Sequence, residues 1–141
     1  MSENIEANVH IYITLTNVFF VPVSKHPDGM WLEIEPVTSE PRDTENLKQL
    51  VSILDSVVNI SKNNMLDPDM NRWQGELVWE KSSILIDVKF LINSVTVSKK
   101  VIQNSPDPDE PPYWTTELSK SVPVNSSYSL LIDTIVRLYQ D

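Results

Sequence analysis

The sequence contains no cysteine and only two glycines, and each shortage excludes a class of chemistry. Without cysteine the chain forms no disulfide, no thiolate metal site and no thiol nucleophile. Phosphate-binding loops and dinucleotide-binding turns need several glycines in one short segment, whereas Gly29 and Gly75 lie far apart. His10 and His26 are the only histidines, too few for a conventional zinc site without cysteine. We therefore expect no cofactor and no metal.

Long apolar segments are also missing. No run of about 18 apolar residues occurs, so the sequence predicts no membrane-spanning helix. Residues 1–6 lack the basic start and apolar centre of a secretory signal peptide. With 141 residues and 40% hydrophobic content, the chain can build one domain with a real core. We expect a single cytoplasmic domain, residues 1–141, of bacterial or viral style.

Basic residues are few, and the acidic surplus is unevenly placed. The net charge is −9, with 11 basic against 20 acidic residues. Residues 28–45 contain six acids and one base, and residues 104–118 contain four acids and no base, so these two stretches carry the whole net charge. Concentrated negative charge speeds association with a basic partner, although solubility alone explains many acidic surfaces. Direct nucleic-acid binding is disfavoured, because phosphate contacts supply most of its affinity.

Apolar residues at every second position predict the first strands. Residues 9–15 place their apolar side chains, including Leu15, on one face, and the pattern continues after a turn at Thr16 and Asn17. Pro22 indicates the edge or end of the second strand, because proline cannot donate a hydrogen bond to a neighbouring strand.

The next segments continue this strand-rich pattern. A turn at residues 26–29 leads to a return strand over residues 30–35, and residues 38–43 are predicted to be a polar linker. The pattern of residues 83–93 is the clearest, with Ile92 among the inward side chains and Asp87 among the outward ones. Further strands are predicted over residues 76–81, 95–103 and 113–118.

Two amphipathic helices are predicted from apolar residues at i, i+3, i+4, i+7, i+10 and i+11. The first runs from about Thr44 to Ile60 with Asp43 or Thr44 as its N-cap, and the second begins near Ser126, capped by Asn125 or Ser126. The apolar faces consist of Leu47, Leu50, Val51, Leu54, Val57 and Val58 in the first helix, and of Tyr128, Leu131, Ile132, Ile135, Leu138 and Tyr139 in the second.

Strands and helices without strand-helix-strand alternation predict an α+β fold, in which about seven antiparallel strands are combined with two amphipathic helices. Each helix follows an acidic stretch and a tryptophan-bearing strand, as if one strand-strand-helix unit occurred twice, in residues 5–62 and 75–141. Two ordinary strand-to-helix units would give the same pattern, so both interpretations stay open.

No motif indicates catalysis. Asp67, Asp69 and Asn71 occupy the first, third and fifth positions of a calcium loop, but Arg72 replaces its required glycine and Val78 its final glutamate. Turns at Asp-Pro sequences explain this segment better. No nucleophile motif surrounds a serine, and no pair of carboxylates is distinguished from the others. We expect a protein that is not an enzyme.

Aromatic residues interleave with both acidic stretches. Trp31 shares a predicted strand face with carboxylates, and a second tryptophan follows the acidic, proline-rich loop. A buried core tryptophan is the commoner case, but a tryptophan among exposed carboxylates is typical of an interface anchor. The predicted partner-binding residues are Trp31, Glu33, Glu35, Asp107, Asp109, Glu110, Tyr113, Trp114 and Glu117.

In size, charge and general layout the chain resembles the immunity proteins of bacterial toxin systems, especially those of contact-dependent growth inhibition. The resemblance rests on the two acidic stretches and the order of elements, with no diagnostic motif. It implies an acidic cytoplasmic protein that neutralises a basic, nuclease-type toxin domain by covering its active-site or substrate-binding face. It also implies no direct contact with nucleic acid or membrane, and a monomer or weak dimer.

The sequence also allows other interpretations of the function. The doubled plan is similar to the Whirly single-strand-binding architecture, but the basic, lysine-containing binding stretch of that family has no match here, so its activity is not implied. An acidic secretion chaperone or adaptor that binds an effector protein is the alternative, and a small hydrolase is a third reading. Whether the two acidic stretches share one surface depends on the fold.

Overall fold

The computed structural model describes residues 5–63 and 72–140, and within them the predicted α+β class is confirmed. Seven strands form one antiparallel sheet in the order β3-β2-β1-β5-β6-β7, with β4 also pairing with β2. The calcium-like segment 67–71 lies outside the described residues. In chain order the elements are β1 (Ile5–Ile13), β2 (Asn17–Lys25), β3 (Trp31–Glu33), β4 (Thr38–Pro41), α1 (Leu47–Asn63), α2 (Glu76–Lys81), β5 (Ile84–Leu91), β6 (Ser94–Gln103), β7 (Tyr113–Pro123) and α3 (Tyr128–Gln140).

The main core lies between one face of the sheet and helices α1 and α3, and we call this side the helix face. Ile11 of β1 sits at its centre, paired with Phe20 of β2 on one side and with Ile86 of β5 on the other. All three are almost fully buried, and burial of each such side chain contributes about 1.5–3 kcal/mol. The predicted helix faces supply the opposite wall, through Leu50, Leu54, Val57, Val58, Leu131, Ile132, Ile135, Leu138 and Tyr139.

Strand β4 corrects the predicted polar linker over residues 38–43. Its four residues pair with the first half of β2, whereas β3 pairs with the second half. Pro22 lies inside β2, between these two halves, and its carbonyl accepts the Ile34 N–H at 2.9 Å on that side. Because proline has no N–H, the reciprocal bond to the Ile34 carbonyl cannot form, and Pro22 lies in the gap between β4 and β3, where this loss interrupts neither strand.

The helices begin shortly after the predicted caps. The Asn46 side chain accepts the Gln49 N–H at 3.1 Å, and Ser127 accepts the Leu130 N–H at 3.2 Å. Several good capping residues occur together before each helix, and local preference alone does not select among them. No helix in the described residues is both long and apolar enough to cross a membrane.

Residues 76–81 form the short helix α2 and not the predicted strand. Its Trp79 N–H donates to the Gly75 carbonyl at 2.8 Å, which closes a helical turn. Val78 and Trp79 both pack on the second face of the sheet. Consecutive residues of a strand point to opposite faces, whereas consecutive residues of a helix can share one side, so packing both side chains against the sheet favours the helix.

The two halves of the chain are arranged symmetrically. Strands β1 and β5 pair at the centre of the sheet, with β2 and β6 on their outer sides, and α1 packs beside α3 on the helix face. The described residues 5–62 and 75–140 therefore have similar topologies, and the origin of segments 5–62 and 75–141 from one repeated unit stays a prediction.

An aromatic cleft as candidate functional site

The sheet face opposite the helix face is partly covered by residues 72–82, which we call the crossing segment. At the sheet edge, the Trp73 N–H donates to the Glu33 carbonyl of β3 at 3.0 Å. At the sheet centre, the Ser83 N–H just beyond the segment donates to the Ile13 carbonyl at 3.0 Å. The part of this face left uncovered is a cleft of about 500 Å³.

All four tryptophans of the chain line this cleft. Trp31 comes from β3, Trp73 and Trp79 from the crossing segment, and Trp114 from β7. The Tyr12 ring centroid at the floor lies 5.6 Å from that of Trp73 and 6.4 Å from that of Trp114, and Trp73 lies 5.8 Å from Trp79. Their tilted and edge-to-face contacts are the arrangement that aromatic pairs prefer. Tyr12, Trp73, Trp79 and Trp114 therefore form an aromatic wall, and Trp31 lines the cleft as well.

Trp31 and Trp114 reach this cleft from opposite edges of the sheet. Strands β3 and β7 are five strand spacings apart, which is about 24 Å in a flat sheet. Trp31 pairs with Lys25 at the end of β2, and Trp114 pairs with Ile102 near the end of β6, so the two residues occupy diagonal corners. A twisted sheet curls diagonal corners towards the same face, which explains how both indoles line one cleft.

A chain of polar contacts runs along the floor of the cleft. The Tyr12 hydroxyl donates a short hydrogen bond to Glu33 Oε2, and His10 Nδ1 lies 2.7 Å from the same oxygen. His10 Nε2 lies 3.6 Å from Asp87 Oδ1, and Lys100 Nζ lies 3.5 Å from Asp87 Oδ2. Two carboxylates are thus held by a histidine, a lysine and a phenol.

Asp87 is buried, with 5% of its surface exposed, which corrects its predicted outward position. The alternation of β5 correctly places Asp87 on the face opposite the helix face, but the crossing segment covers that face. An unpaired charge in such a place would cost several kcal/mol, which His10 and Lys100 offset by their proximity. Asp87 Oδ1 still lacks a full hydrogen bond, and so does the buried Trp79 Nε1 among the described residues.

Burial raises the pKa of Tyr12 well above its usual value, and the neighbouring Glu33 carboxylate raises that pKa further. Both effects disfavour the phenolate, the first by desolvation and the second by charge repulsion. The hydroxyl therefore keeps its proton in the folded protein and remains the donor to Glu33.

We expect the free energy of unfolding to fall as the pH rises above about 10, because Tyr12 loses its proton near that pH only in the unfolded chain. The Tyr12→Phe variant should lose less stability over the same pH range, by up to about 1.4 kcal/mol per pH unit. Urea unfolding at several pH values measures both slopes. Tyr113→Phe, at an exposed tyrosine, is the control, and equal slopes for wild type and Tyr12→Phe would contradict the assignment.

The acidic loop that precedes β7 is exposed and carries Asp107, Asp109 and Glu110. Asp107 Oδ1 accepts the Asp109 N–H at 3.0 Å, and the Ser105 hydroxyl donates to Glu110 Oε2 at 2.8 Å. The loop ends next to Tyr113, which is half exposed, and Trp114. Three of the predicted partner-binding carboxylates are therefore exposed to solvent, in the loop that precedes Trp114 at the wall of the cleft.

The remaining predicted residues divide into two groups. Trp31 and Glu33 line the cleft, and Glu35 is exposed just beyond the end of β3. Glu117 does not join them, because its carboxylate lies 3.3 Å from Lys99 Nζ in a depression beside α3, on the helix face. A bulge in the pairing of β6 with β7 occurs at this point and leaves Glu117 without a partner in the register.

Sequence reasoning selected only three of the ten residues that line the cleft, Trp31, Glu33 and Trp114. His10 and Tyr12 lie on the face of β1 opposite the helix face, Trp73 lies outside every predicted strand, and Trp79 falls in the strand wrongly predicted over residues 76–81. The one available signal was the small number of tryptophans, all of which line the cleft. Among the described residues, no three histidine or carboxylate side chains converge to hold a metal ion.

Gly75 keeps Trp73 in place. A methyl group at Gly75 would collide with the Trp73 ring, so Gly75→Ala is expected to destabilise the fold by about 1–3 kcal/mol and to shift the tryptophan fluorescence. Gly29→Ala is the control, since Gly29 has a φ of 98° but open space around it. It should lose stability through backbone strain with no change in fluorescence, and an unmoved spectrum for Gly75→Ala would contradict the packing.

The fold thus combines an antiparallel sheet with two helices on one face and an aromatic cleft on the other. No protein-family model matches the chain, and no curated protein matches it. Among solved structures, it is similar to a protein of unknown function from Neisseria meningitidis, with a TM-score of 0.60 and 12% sequence identity. The similarity covers 98% of this chain and 96% of that chain. It establishes a shared fold.

Proposed function

We propose that this protein is a cytoplasmic immunity protein of a bacterial toxin system, of the contact-dependent growth inhibition type. It binds a basic, nuclease-type toxin domain and neutralises it by covering the active-site or substrate-binding face. One observation carries the proposal: the two acidic stretches lie at opposite edges of the sheet, yet each contributes a tryptophan, Trp31 or Trp114, to the same cleft.

The proposal depends on both electrostatic attraction and aromatic packing. A nuclease domain must be basic to hold phosphate, so an acidic surface is complementary to the face that it uses. Distributed carboxylates accelerate the encounter, whereas partly exposed aromatic rings supply the buried anchors that slow dissociation. The exposed acidic loop at residues 104–112 and the aromatic wall beside it provide both properties.

Purification of the tagged protein from its native host, followed by identification of the co-eluting protein, tests the proposal. We expect a large protein that ends in a small basic domain, and we expect that domain to lose nuclease activity at one equivalent of this protein. A co-eluting basic domain whose activity is unaffected would contradict neutralisation.

The acidic secretion chaperone or adaptor is distinguished by the same preparation. A chaperone of that kind is a dimer that binds an unfolded effector segment, whereas an immunity protein can be a monomer that binds a folded domain. Light scattering of the free protein and of its complex measures both stoichiometries.

A further inference from the structure

We propose that the aromatic cleft is a receptor for one guanidinium group, supplied by an arginine side chain of the protein partner. This inference extends the proposed function. It rests on that function only for the identity of the partner that supplies the arginine. Binding of the guanidinium itself depends only on the cleft, so the two ideas can fail separately.

The aromatic wall is the first reason. Trp31, Trp73 and Trp114 are partly exposed in the cleft, and the phenol of Tyr12 lies between the last two. The electron-rich faces of indole rings attract cations, and tryptophan is the strongest of the aromatic side chains in this respect. A planar cation can stack on these rings, whereas an anion would be repelled by them.

Glu33 is the second reason, because it places a carboxylate beside the rings. Its Oε2 atom is held by Tyr12 and His10, so the side chain is already fixed in position. Its Oε1 atom makes no hydrogen bond or ion pair with residues 5–63 and 72–140. A fixed carboxylate with one free oxygen accepts a hydrogen bond from a cation without reorganisation.

The charges around the cleft favour a cation as well. Lys100 is engaged by Asp87 beneath the floor, so it neutralises that carboxylate and not Glu33. Arg72 also lines the cleft, but it is an exposed residue, so water and salt screen its repulsion of a second cation. Outside the cleft, the β3 side carries Asp28 and Glu35, and the β7 side carries the acidic loop.

Arginine suits this site better than lysine does. Guanidinium is planar and weakly hydrated, stacks on aromatic faces and presents several N–H donors in a fixed fork. An ammonium ion is a compact, strongly hydrated charge that loses more when it leaves water. A volume of about 500 Å³ accommodates one such side chain together with the water around it.

The test uses the ¹⁵N-labelled wild-type protein and two matched small molecules, N-acetyl-arginine amide and N-acetyl-citrulline amide. Citrulline has nearly the same shape as arginine but carries no charge. Because all four indoles line the cleft, their N–H signals report occupancy directly. We expect the arginine compound to shift several indole signals with a Kd in the range of about 1–10 mM, and citrulline to bind about tenfold more weakly.

Glu33→Gln is the variant that probes the carboxylate, since glutamine still accepts hydrogen bonds from Tyr12 and His10. It should weaken arginine binding about tenfold, whereas Glu117→Gln, at a carboxylate outside the cleft, should bind as wild type does. Thermal unfolding of both variants serves as the control that they are folded. The proposal is overturned if arginine produces no indole shifts, if citrulline binds equally well, or if Glu33→Gln binds arginine normally.

The complex with the partner separates this inference from the proposed function. If a basic toxin domain binds Glu33→Gln as tightly as wild type, the receptor role of the cleft is wrong and the immunity function stands. If the cleft binds arginine but the co-purified partner is not a basic domain, the immunity function is wrong and the guanidinium site stands.

Discussion

Trp114→Ala is expected to raise the dissociation rate of the complex with the proposed toxin partner roughly 100-fold, equivalent to about 3 kcal/mol of binding free energy. The indole stands at the edge of the cleft, partly exposed and packed against Tyr12. It is already ordered before binding, so the complex gains its contact area at little entropic cost. Surface plasmon resonance with the purified domain of the proposed partner measures the rate.

The fold should survive this change, because Trp114 lies outside the helix-face core. Leu130→Ala provides the matched control, since Leu130 is an apolar residue of α3 that is 45% exposed, in the helix layer on the other side of the sheet. Its complex should dissociate at the wild-type rate. An unchanged dissociation rate for Trp114→Ala would mean that the partner binds elsewhere.

Reversal of charge at Asp109 and Glu110, both to lysine, is expected to slow association about 10- to 100-fold at low salt. Exposed charges act mainly on the encounter rate, so the dissociation rate should change little. Asp107 is retained because its carboxylate accepts the Asp109 N–H and shapes the loop. Stopped-flow fluorescence measures the rate at several salt concentrations, and the difference from wild type should vanish towards about 1 M salt.

The matched control is Asp55→Lys with Asp133→Lys, which changes the net charge by the same amount on the helix layer. It should slow association much less, because its charges lie far from the cleft. If both double variants were equally slow, net charge alone would govern the encounter. The acidic stretches would then serve solubility and would not mark a binding surface.

The local patterns predicted the long strands and the two long helices, but not β4 or α2. Ile86 and Val88 of β5 and Leu54 of α1 are buried as their periodicity indicated. The same patterns placed the ends of the strands too late. Leu15 is 86% exposed in a turn, and Ile92 lies in the tight turn after β5. The alternation of apolar and polar residues does not show at which residue a strand ends, because that depends on the length of the neighbouring strands.

The candidate site was predictable only in part. Trp31, Glu33 and Trp114 were selected because they stand among carboxylates, and the fold brings all three to one cleft. His10 and Trp73 were missed, because nothing local relates a histidine on β1 to a segment more than sixty residues later. The partner-binding role of the selected residues stays a prediction, which the variants above test.

The sequence by itself determined the α+β class, the apolar stripes that form the helix-face core, and the concentration of negative charge in two stretches. These are local properties, set by side-chain spacing and composition. Only the tertiary structure decided that both stretches bring a tryptophan to the same cleft and that Asp87 is buried beneath it. Strand order, sheet twist and the route of residues 72–82 create those contacts, and each depends on pairing between distant parts of the chain.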